Sequence, residues 1–582
     1  MAPGQRVRVP FRGRPRAAVV VRVEVGPADG LEEVATVLDP VPALTPALVE
    51  LARRTASETV SAWGEVVFRA LPPGARSRAP AALPSPAPGL APGPATLMTG
   101  RDRDVRIARG VEGALAAGGA ALVLAPEIEQ AQSWAARLEA RLGEPVRLVT
   151  SAASPGARWT AWWACRTGEA RVAVGTRAAA WIPLAPLALA VLLDEEDPGH
   201  KAPDAPRWHA RDVILARSRL EGGASLLASA TPSLESWVGA RQGTLLAEPG
   251  PREPWPTVER VTLAGEHAGD ATLSPGLRDA ARAALARGDS VLLVLNRLGF
   301  ARILACAECG AVRRCRRCRV ALLYRRDTRS LACRLCGSEA PAASLCGRCR
   351  GRRLQPVGWG TERLEAEARR AFPEARVLRY DSTVAPPEAE AARTAFRSGG
   401  AHVLVGTSMA LRLAASARVT VAALVLADST LHLPDFRAAE RTFQLAWRLA
   451  ETVEAGGSVW LQSYLPDHPA LSAVAHGEPA RFYEPEWAER QELGYPPARR
   501  MARLVVEGRD ARRLAEDLAA RGRAAAGTVL GPAALAGARV QVVLLGGPEL
   551  PGIVAEILEP LRGRRRLGGT RLGVDMDPVE LP

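Results

Sequence analysis

The chain has 582 residues, with 76 Lys plus Arg against 62 Asp plus Glu and a formal net charge of +14 at pH 7. At roughly 100 to 200 residues per domain, this length predicts about three to five domains. Charged residues at 24% and hydrophobic residues at 47% argue against disorder throughout and against a coiled coil. The sequence contains a single lysine, Lys201, so chemistry that requires a lysine can use that residue alone.

A basic excess spread over the chain suits a polyanionic partner, most simply nucleic acid. The two longest uncharged runs, 79–100 and 178–193, contain prolines and do not fit a spanning helix. The amino terminus lacks the charged-then-apolar pattern of a signal peptide. We therefore expect a cytoplasmic protein with no membrane partner.

Cysteine spacing gives the clearest local signal. Eight of the nine cysteines form four C-x-x-C pairs, which are Cys306/Cys309, Cys315/Cys318, Cys333/Cys336 and Cys346/Cys349. Tetrahedral zinc takes four thiolates and a C-x-x-C turn presents two of them, so the four pairs predict two structural Zn²⁺ ions. Disulfides would need an oxidising compartment. A redox motif is normally one pair beside a helix rather than four in a row.

The loops between the pairs predict which of them share a metal ion. An apolar stretch from Val320 to Tyr324, a polar turn from Arg325 to Arg329 and then Leu331 indicate a β-hairpin between the second and third pairs. This hairpin brings those two pairs to one inner site, and the first and fourth pairs close around it as an outer site. The ninth cysteine, Cys165, is expected to be a packed small hydrophobic residue.

Outside the cysteine block, short apolar strands alternate with helical patterns, which is typical of parallel α/β layers. The strand candidates cover residues 121–125, 172–174, 187–193, 226–228, 291–295, 403–405, 421–426 and 459–462. Several of them end in polar residues, at the edge where open α/β sheets bind ligands. A stretch rich in Pro, Ala and Gly, 78–94, indicates a linker after the first 75 or so residues.

Residues at these strand ends resemble helicase motifs. Residues 193–197 (LDEED) resemble the D-E-E-H motif of superfamily 2 helicases, residues 175–177 (GTR) their G-T-R motif and residues 229–232 (SATP) their S-A-T motif. With residues 296–300 (NRLGF) leading into the four cysteine pairs, the chain resembles the PriA family of replication restart helicases. Further matches in family order lie at 360–362, 379–381, 435–441, 495–497 and 574–578.

The resemblance implies two recA-like lobes and ATP-dependent 3′-to-5′ helicase activity, but the phosphate loop departs from the family. That loop should read G-V-T-G-S-G-K-T, with glycines whose N–H groups face the phosphates. Aligned on Thr99-Gly100, the first glycine, third glycine, lysine and threonine are replaced by Leu97, Asp102, Arg103 and Asp104. A guanidinium fork does not substitute for a lysine threaded through a glycine-rich loop.

The second lobe departs in the same direction. Thr452 and Ala455 stand where the family has arginines that complete the ATP site, and Leu413 stands where a glycine belongs. Loss of such an arginine costs on the order of 10³ in phosphoryl-transfer rate. We therefore predict a catalytically inactive helicase homologue, not an enzyme, that does not use ATP and in which Asp194 and Glu195 are relics of a strand end. The alternative is an active ATP-dependent 3′-to-5′ helicase with an unconventional site.

The family's aromatic-rich loop, which couples single-stranded DNA to the helicase core, matches residues 200–201 and 207–212. The resemblance implies DNA contacts by Lys201, Arg207, Trp208 and Arg211. Trp208 can stack on a base and the arginines can meet phosphates; the alternative is that Trp208 anchors the loop on the lobe. The arginines between Arg313 and Arg353 either neutralise the thiolates or offer a basic face to DNA or a partner.

The two ends of the chain are shorter than the family pattern. Val7 to Phe11 resembles a strand of the family's amino-terminal domain, which recognises the 3′ end of a nascent strand. Arg12 stands where the family has glycine, unless a one-residue slip places Gly13 there. No room is left for a winged helix before the phosphate loop, and the basic hairpin of the carboxyl-terminal domain is reduced to the stretch around Arg539.

The predicted architecture is α/β, with two degenerate recA-like lobes, a two-zinc insert, a small β-rich amino-terminal DNA-binding domain and an α+β carboxyl-terminal domain. The predicted boundaries are 1–75 for the truncated 3′-DNA-binding-like domain, 76–96 for the linker, 97–246 for lobe 1, 247–303 with 354–475 for lobe 2, 304–353 for the insert and 476–582 for the carboxyl-terminal domain. As the resemblance implies, we expect a replication restart protein that binds branched and single-stranded DNA at stalled forks. It would act with primosome proteins and reload the replicative helicase. A zinc-dependent interaction scaffold without DNA binding is a further alternative.

Overall fold

The structure is a computed structural model of residues 1–582. It describes all of them except 27–29, 31, 75–78, 84–89, 252, 265–271, 297–302, 326, 343, 357–359, 400–401, 415–417, 526, 562–568 and 582. Most of the NRLGF segment and parts of the predicted linker therefore lie outside the described residues.

The amino-terminal domain is a small antiparallel sheet followed by two helices. Its strands, in spatial order, are Arg14–Val19, Arg6–Phe11 and Thr36–Val37, and its helices are Pro46–Glu58 and Trp63–Ala70. The first helix begins where the Thr45 hydroxyl accepts a hydrogen bond from the Leu48 N–H, with proline at the first helical position. Both helices share a buried core with the tryptophan-rich helix of lobe 1, and Trp162 Nε1 donates to the Ala43 carbonyl at 2.9 Å. The domain is therefore docked on lobe 1.

Lobe 1 is a seven-stranded parallel sheet between two helical layers. In spatial order its strands are Leu246–Glu248, Pro92–Met98, Gly223–Ala228, Leu187–Leu193, Ala120–Leu124, Val172–Gly175 and Val146–Val149. Its α-helices are Arg103–Ala116, Ile128–Leu142, Pro155–Arg166, Ala210–Glu221 and Leu234–Arg241, and its 3₁₀ turns are Arg177–Trp181 and Pro198–His200. The central strands are apolar along their whole length because helices cover both faces of the sheet. The first strand begins inside the predicted linker, and the edge strand extends past the predicted end at 246.

Lobe 2 is a six-stranded parallel sheet of the same kind. In spatial order its strands are Thr257–Thr262, Ser458–Ser463, Val419–Leu424, Ser290–Val294, His402–Gly406 and Arg376–Tyr380. Its helices are Pro275–Ala286, Thr361–Ala371, Pro386–Arg397, Ser408–Ala414, Asp428–Leu431, Ala438–Glu451, Pro469–His476 and Ala480–Leu493. Phe482 and Tyr483 of the last helix pack in the same core as Phe443. That helix therefore packs with lobe 2, although the predicted boundary at 476 assigned it to the carboxyl-terminal domain.

The cysteine-rich insert leaves and rejoins lobe 2 on adjacent strands. Leu304–Cys306 pairs antiparallel with Leu354–Pro356, and a second sheet joins Leu323–Arg325, Ser330–Ala332 and Glu339–Pro341. The first two strands of this second sheet form the hairpin predicted between the second and third cysteine pairs. The local pattern of apolar strand, polar turn and apolar strand was sufficient to locate it.

The carboxyl-terminal domain is a four-stranded antiparallel sheet with helices on one face. In spatial order its strands are Thr528–Ala534, Arg539–Gly546, Arg500–Glu507 and Arg571–Met576, and its helices are Ala511–Ala525 and Leu550–Leu558, followed by a 3₁₀ turn at Glu559–Leu561. The other face of the sheet packs through Met501, Leu530 and Val543 against the insert. Alternate residues of these strands therefore pack in two different cores, one under the helices and one against the insert.

The α/β architecture with two parallel-sheet lobes is confirmed, and each of the eight strand candidates overlaps a strand of the structure. Cys165 is buried in the core of lobe 1, as predicted. Among the described residues, no helix is both long enough and apolar enough to cross a membrane.

Candidate metal centres and nucleic-acid interface

Two four-cysteine clusters form in the nested pairing predicted from the loops. Their members are Cys306, Cys309, Cys346 and Cys349 in the outer cluster and Cys315, Cys318, Cys333 and Cys336 in the inner cluster. Within each cluster all Sγ atoms lie within 4.8 Å of one another, and the Cys306–Cys349 and Cys309–Cys346 Sγ pairs are 3.5 and 3.7 Å apart. A tetrahedron with Zn–S bonds of about 2.3 Å has edges of about 3.8 Å. The donor set and its spacing therefore fit a four-thiolate metal site.

The backbone explains why each C-x-x-C segment turns around one point. The residue after the second cysteine has a positive φ in all four pairs, and its N–H donates to the carbonyl of the first cysteine at 2.8 to 3.1 Å. These residues are Gly310, Arg319, Gly337 and Arg350. Further N–H groups point at the sulfurs, including Arg348 N to Cys346 Sγ at 3.3 Å. Such donors stabilise thiolates and orient them for a metal ion.

The two clusters differ in their surroundings. The inner cluster shares a buried core with Tyr495, Met501 and Val543 of the carboxyl-terminal segment. In the outer cluster Cys349 is exposed. Around it, Arg348 and Arg352 are exposed and form no ion pair with a described residue, so the prediction that these arginines offer a basic face stays open.

The structure places three of the four predicted DNA contacts away from solvent. Lys201 Nζ donates to the Met576 carbonyl at 2.5 Å and the Asp577 carbonyl at 3.3 Å, and lies 3.3 Å from an Asp575 carboxylate oxygen. Trp208 is 7% exposed and meets Trp181 edge-on, with ring centroids 5.8 Å apart.

Arg211 is held in a similar way, by Glu195 at 3.2 Å and Ser233 at 2.8 Å. Lys201, Trp208 and Arg211 are thus engaged in contacts within the protein, and their role at DNA stays a prediction. The side chain of Arg207 remains 30% exposed, so its contact with DNA stays a prediction.

A cavity of about 1430 Å³ lies between the two lobes, with the residues of the D-E-E-D segment at its wall. Glu196 is hydrogen-bonded by Arg448 from lobe 2, and Asp194 accepts from Gln130 at 2.8 Å. Burial raises the pKa of Glu196 to about 7, with Arg448 opposing the shift and Asp194 adding to it. At the phosphate-loop turn, Arg103 donates to the Gly100 carbonyl at 2.9 Å and meets Glu451 at 3.4 Å. Acidic groups of lobe 1 and arginines of both lobes thus line the cavity together.

The amino-terminal hairpin presents an aromatic ring beside exposed cations. Arg12 and Gly13 form its tip with φ of 53° and 72°, so both central turn residues are left-handed, as a two-residue type I′ turn requires. Phe11 precedes the turn and is 53% exposed, with the Arg12 guanidinium 5.4 Å from its ring centroid. Arg14 and Arg16 follow on the edge strand, exposed and without an ion pair to any described residue.

The sequence analysis identifies Arg12 only as a residue that replaces a family glycine, and it makes no prediction for Arg14 or Arg16. The signal was present as a run of arginines at alternate positions on both sides of the turn. An exposed ring among arginines is the combination that stacks on bases and tracks phosphates.

Comparison with known proteins identifies both ends and most of the middle of the chain. The 3′DNA-binding domain (3′BD) family matches residues 1–72, and the primosomal protein N C-terminal domain family matches residues 491–579. The replication restart protein PriA of Bacillus subtilis is 30% identical over 506 residues, covering 83% of this chain and 63% of that protein. The Treponema pallidum protein of the same name is 31% identical and covered to 76% of its length. Among solved structures, RecG bound to a three-way DNA junction aligns with 76% of this chain and 46% of its own at 10% identity and a TM-score of 0.39.

These relatives correct one expectation. The interpretation of the chain as a catalytically inactive homologue and not an enzyme is wrong, because the chain aligns over 83% of its length with proteins of a family that is generally a DNA helicase. The family models at both ends, the relatives over most of the chain and the nested cysteine clusters agree, and the chain belongs to the PriA family of replication restart proteins.

Proposed function

We propose that the chain binds branched DNA at stalled replication forks and promotes reloading of the replicative helicase together with primosome proteins. The observation that carries the proposal is the exposed hairpin of Phe11, Arg14 and Arg16 within a domain that matches the 3′DNA-binding family. Base stacking and phosphate contacts of this kind need no large buried interface. The chain spans 63% of the Bacillus subtilis relative, so the activity of the whole relative enters here as part of the proposal.

We assign Zn²⁺ to both four-cysteine clusters within this proposal. Four thiolates at tetrahedral spacing suit zinc, which stabilises such inserts by cross-linking their loops. Free thiolates as metal ligands also suit a reducing compartment, so the cytoplasm remains the proposed location.

The hairpin is tested by fork binding. Phe11→Ala is expected to weaken binding to a fork with a nascent 3′ end about tenfold, because one stacked base contributes about 1–3 kcal/mol. Affinity is measured by gel shift against a random duplex of equal length. Arg512→Gln, an exposed arginine of the carboxyl-terminal helix, is the matched surface control. Equal affinity of the chain for fork and duplex, or of Phe11→Ala and the parent for the fork, would refute the proposal.

Helicase reloading has its own measurement. Replicative helicase added to a fork is expected to unwind the parental duplex faster when the chain is present. No gain in unwinding, with fork binding intact, would remove reloading from the proposed function and leave DNA binding in place.

ATP-dependent helicase activity is a second candidate, favoured by the family to which the chain belongs. Asp194 and Glu195 follow the strand Leu187–Leu193 at the carboxyl edge of the lobe 1 sheet, where such sheets bind ligands. DNA-stimulated ATP hydrolysis that is lost in Asp194→Asn would establish the activity. Hydrolysis that is absent, or that survives this substitution, would count against it.

A further inference from the structure

Basic side chains from three domains converge on the face of the carboxyl-terminal sheet that meets the insert and lobe 1. Lys201 and Arg207 come from the lobe 1 loop and lie at Asp575, Arg334 comes from the inner cysteine turn, and Arg503 and Arg539 come from neighbouring strands of the carboxyl-terminal sheet; the charges of Arg207, Arg334 and Arg539 all act on Arg503. We call this set the three-domain basic cluster. None of its members other than Lys201 and Arg207 has an ion-pair partner among the described residues.

Arg503 is the central member of the cluster. It lies on the strand Arg500–Glu507 opposite Asp575, is 6% exposed, and its Nε donates to Gln541 Oε1 at 2.8 Å. Gln541 Nε2 in turn donates to the Arg334 carbonyl at 2.8 Å, which ties the insert to this point. The two terminal nitrogens of Arg503 make no hydrogen bond to any described residue, and neither of them is fully buried, so they are open to a ligand from solvent.

The charges near Arg503 do not balance. Asp575 lies opposite Arg503 on the paired strand, and Lys201 and Arg207 already engage it at 3.3 and 3.6 Å. Asp435, which faces Arg334, is engaged by Arg441 at 3.2 Å. Burial lowers the pKa of Arg503 to about 10, with Arg334, Arg207 and Arg539 acting in the same direction and Asp575 opposing them. A bound anion would stabilise a desolvated cation that lies among like charges.

We propose that the three-domain basic cluster binds a phosphate group, and that the group belongs to the backbone of a DNA strand crossing the junction of lobe 1, the insert and the carboxyl-terminal domain. Guanidinium forks match the geometry of phosphate oxygens and bind them in pairs. Arg207 and Arg539 are the solvent-facing members through which a strand would enter. The choice of DNA as the source of the phosphate rests on the proposed function, whereas the phosphate site itself does not.

The site is tested first with inorganic phosphate and the full chain. Thermal unfolding is measured in increasing phosphate and in chloride at equal ionic strength. The midpoint is expected to rise saturably with phosphate, because a ligand that binds only the folded state stabilises it. Arg503→Gln is expected to abolish the phosphate-dependent rise, and the exposed control Arg512→Gln to retain it.

Two outcomes overturn the phosphate site. One is a parent chain whose midpoint is the same in phosphate and chloride, and the other is an Arg503→Gln chain with an undiminished rise. If Arg503→Gln does not fold, Arg539→Gln takes its place, because that side chain is exposed and its one hydrogen bond to a described residue goes to the Ala536 carbonyl within the same turn. The same two outcomes then apply to Arg539→Gln.

The source of the phosphate is tested by the salt dependence of fork binding. Loss of one phosphate contact lowers the slope of log affinity against log salt by about one, and Arg503→Gln is expected to show this change. An unchanged slope, with the inorganic phosphate effect lost, would overturn DNA as the source and assign the site to a free phosphate compound. A chain that binds no fork but keeps its phosphate-dependent midpoint would refute the proposed function and retain the site.

Discussion

Two histidines act as helix N-caps through ring nitrogens that must be unprotonated. His209 Nδ1 accepts from the Arg211 N–H at 3.1 Å, and His468 Nδ1 accepts from the Ala470 N–H at 3.2 Å. Burial lowers the pKa of both rings, that of His468 to about 4, with Arg314 adding to the shift and Asp428 opposing it. A protonated imidazole has no acceptor, so acid removes these caps.

Stability is therefore expected to depend on pH through His468. The unfolded ring titrates near 6.5 and the folded ring near 4, so the unfolded state binds more protons between these values. Stability is complete above pH 6.5 and falls as the pH drops toward 4, by at most about 3 kcal/mol. His468→Asn keeps a capping side chain that does not titrate and should flatten this fall in urea unfolding between pH 4 and 7.

His476→Asn, at the exposed far end of the same helix, is the control for the histidine substitution. A fall of equal depth in His468→Asn and in the parent chain would show that the cap does not contribute to the acid response.

At the scale of elements, the two cysteine clusters stabilise different things. The inner cluster packs in one core with strands of the carboxyl-terminal sheet, whereas the outer cluster ties the two ends of the insert together beside solvent. A metal ion adds its binding free energy to whatever its ligands hold in place. Loss of the inner ion should therefore destabilise the carboxyl-terminal sheet as well as the insert, whereas loss of the outer ion should destabilise mainly the insert.

Cys318→Ser and Cys349→Ser provide the comparison. Elemental analysis should find two zinc ions in the parent chain and one in each variant. Hydrogen exchange is expected to increase in the strands Arg500–Glu507 and Thr528–Ala534 for Cys318→Ser and to stay near the parent rate for Cys349→Ser. Equal exchange in both variants would mean that the inner cluster does not support the carboxyl-terminal sheet.

At the scale of the whole molecule, a buried ionic network joins the two lobes. Arg437 of lobe 2 contacts Glu235 of lobe 1 at 3.1 Å and Glu440 at 3.2 Å, and Glu440 also accepts from the Leu234 N–H at 2.8 Å. The Arg437 guanidinium lowers the pKa of Glu235 well below its usual range, against the effect of burial. Removal of one partner leaves a buried charge uncompensated, which costs more than the pair itself contributes.

Glu235→Gln is expected to destabilise the chain by on the order of 3 kcal/mol, measured by urea unfolding. Glu484→Gln is the matched control, because it breaks an ion pair with Arg241 in which the Glu484 side chain is 61% exposed and the Arg241 side chain 55% exposed. This substitution should lower the free energy of unfolding by less than about 1 kcal/mol. Similar losses in the two variants would contradict a buried junction between the lobes.

The features that could be predicted from the sequence are those encoded by neighbouring residues. The strand Leu187–Leu193 follows from an unbroken apolar run, and the hairpin around Arg325 follows from a polar turn between apolar segments. The grouping of Cys315 with Cys336 then follows from that hairpin.

The features that could not be predicted depend on partners far along the chain. Lys201 reaches carbonyls more than 370 positions away, and Trp208 is buried by Trp181 of a different loop. Arg503 is 6% exposed on its strand, beside Gln541, to which the insert is hydrogen-bonded. Exposure of such residues is decided by domain packing, for which the local sequence carries no pattern.

The insert begins and ends on paired strands, Leu304–Cys306 and Leu354–Pro356, so its two junctions with lobe 2 lie side by side. A short turn between these two strands would leave the order of the lobe 2 strands unchanged. The apolar face of the carboxyl-terminal sheet, however, is covered by the inner cluster. The insert is thus separable from lobe 2 in chain topology, whereas its removal would expose an apolar face of the carboxyl-terminal sheet to water.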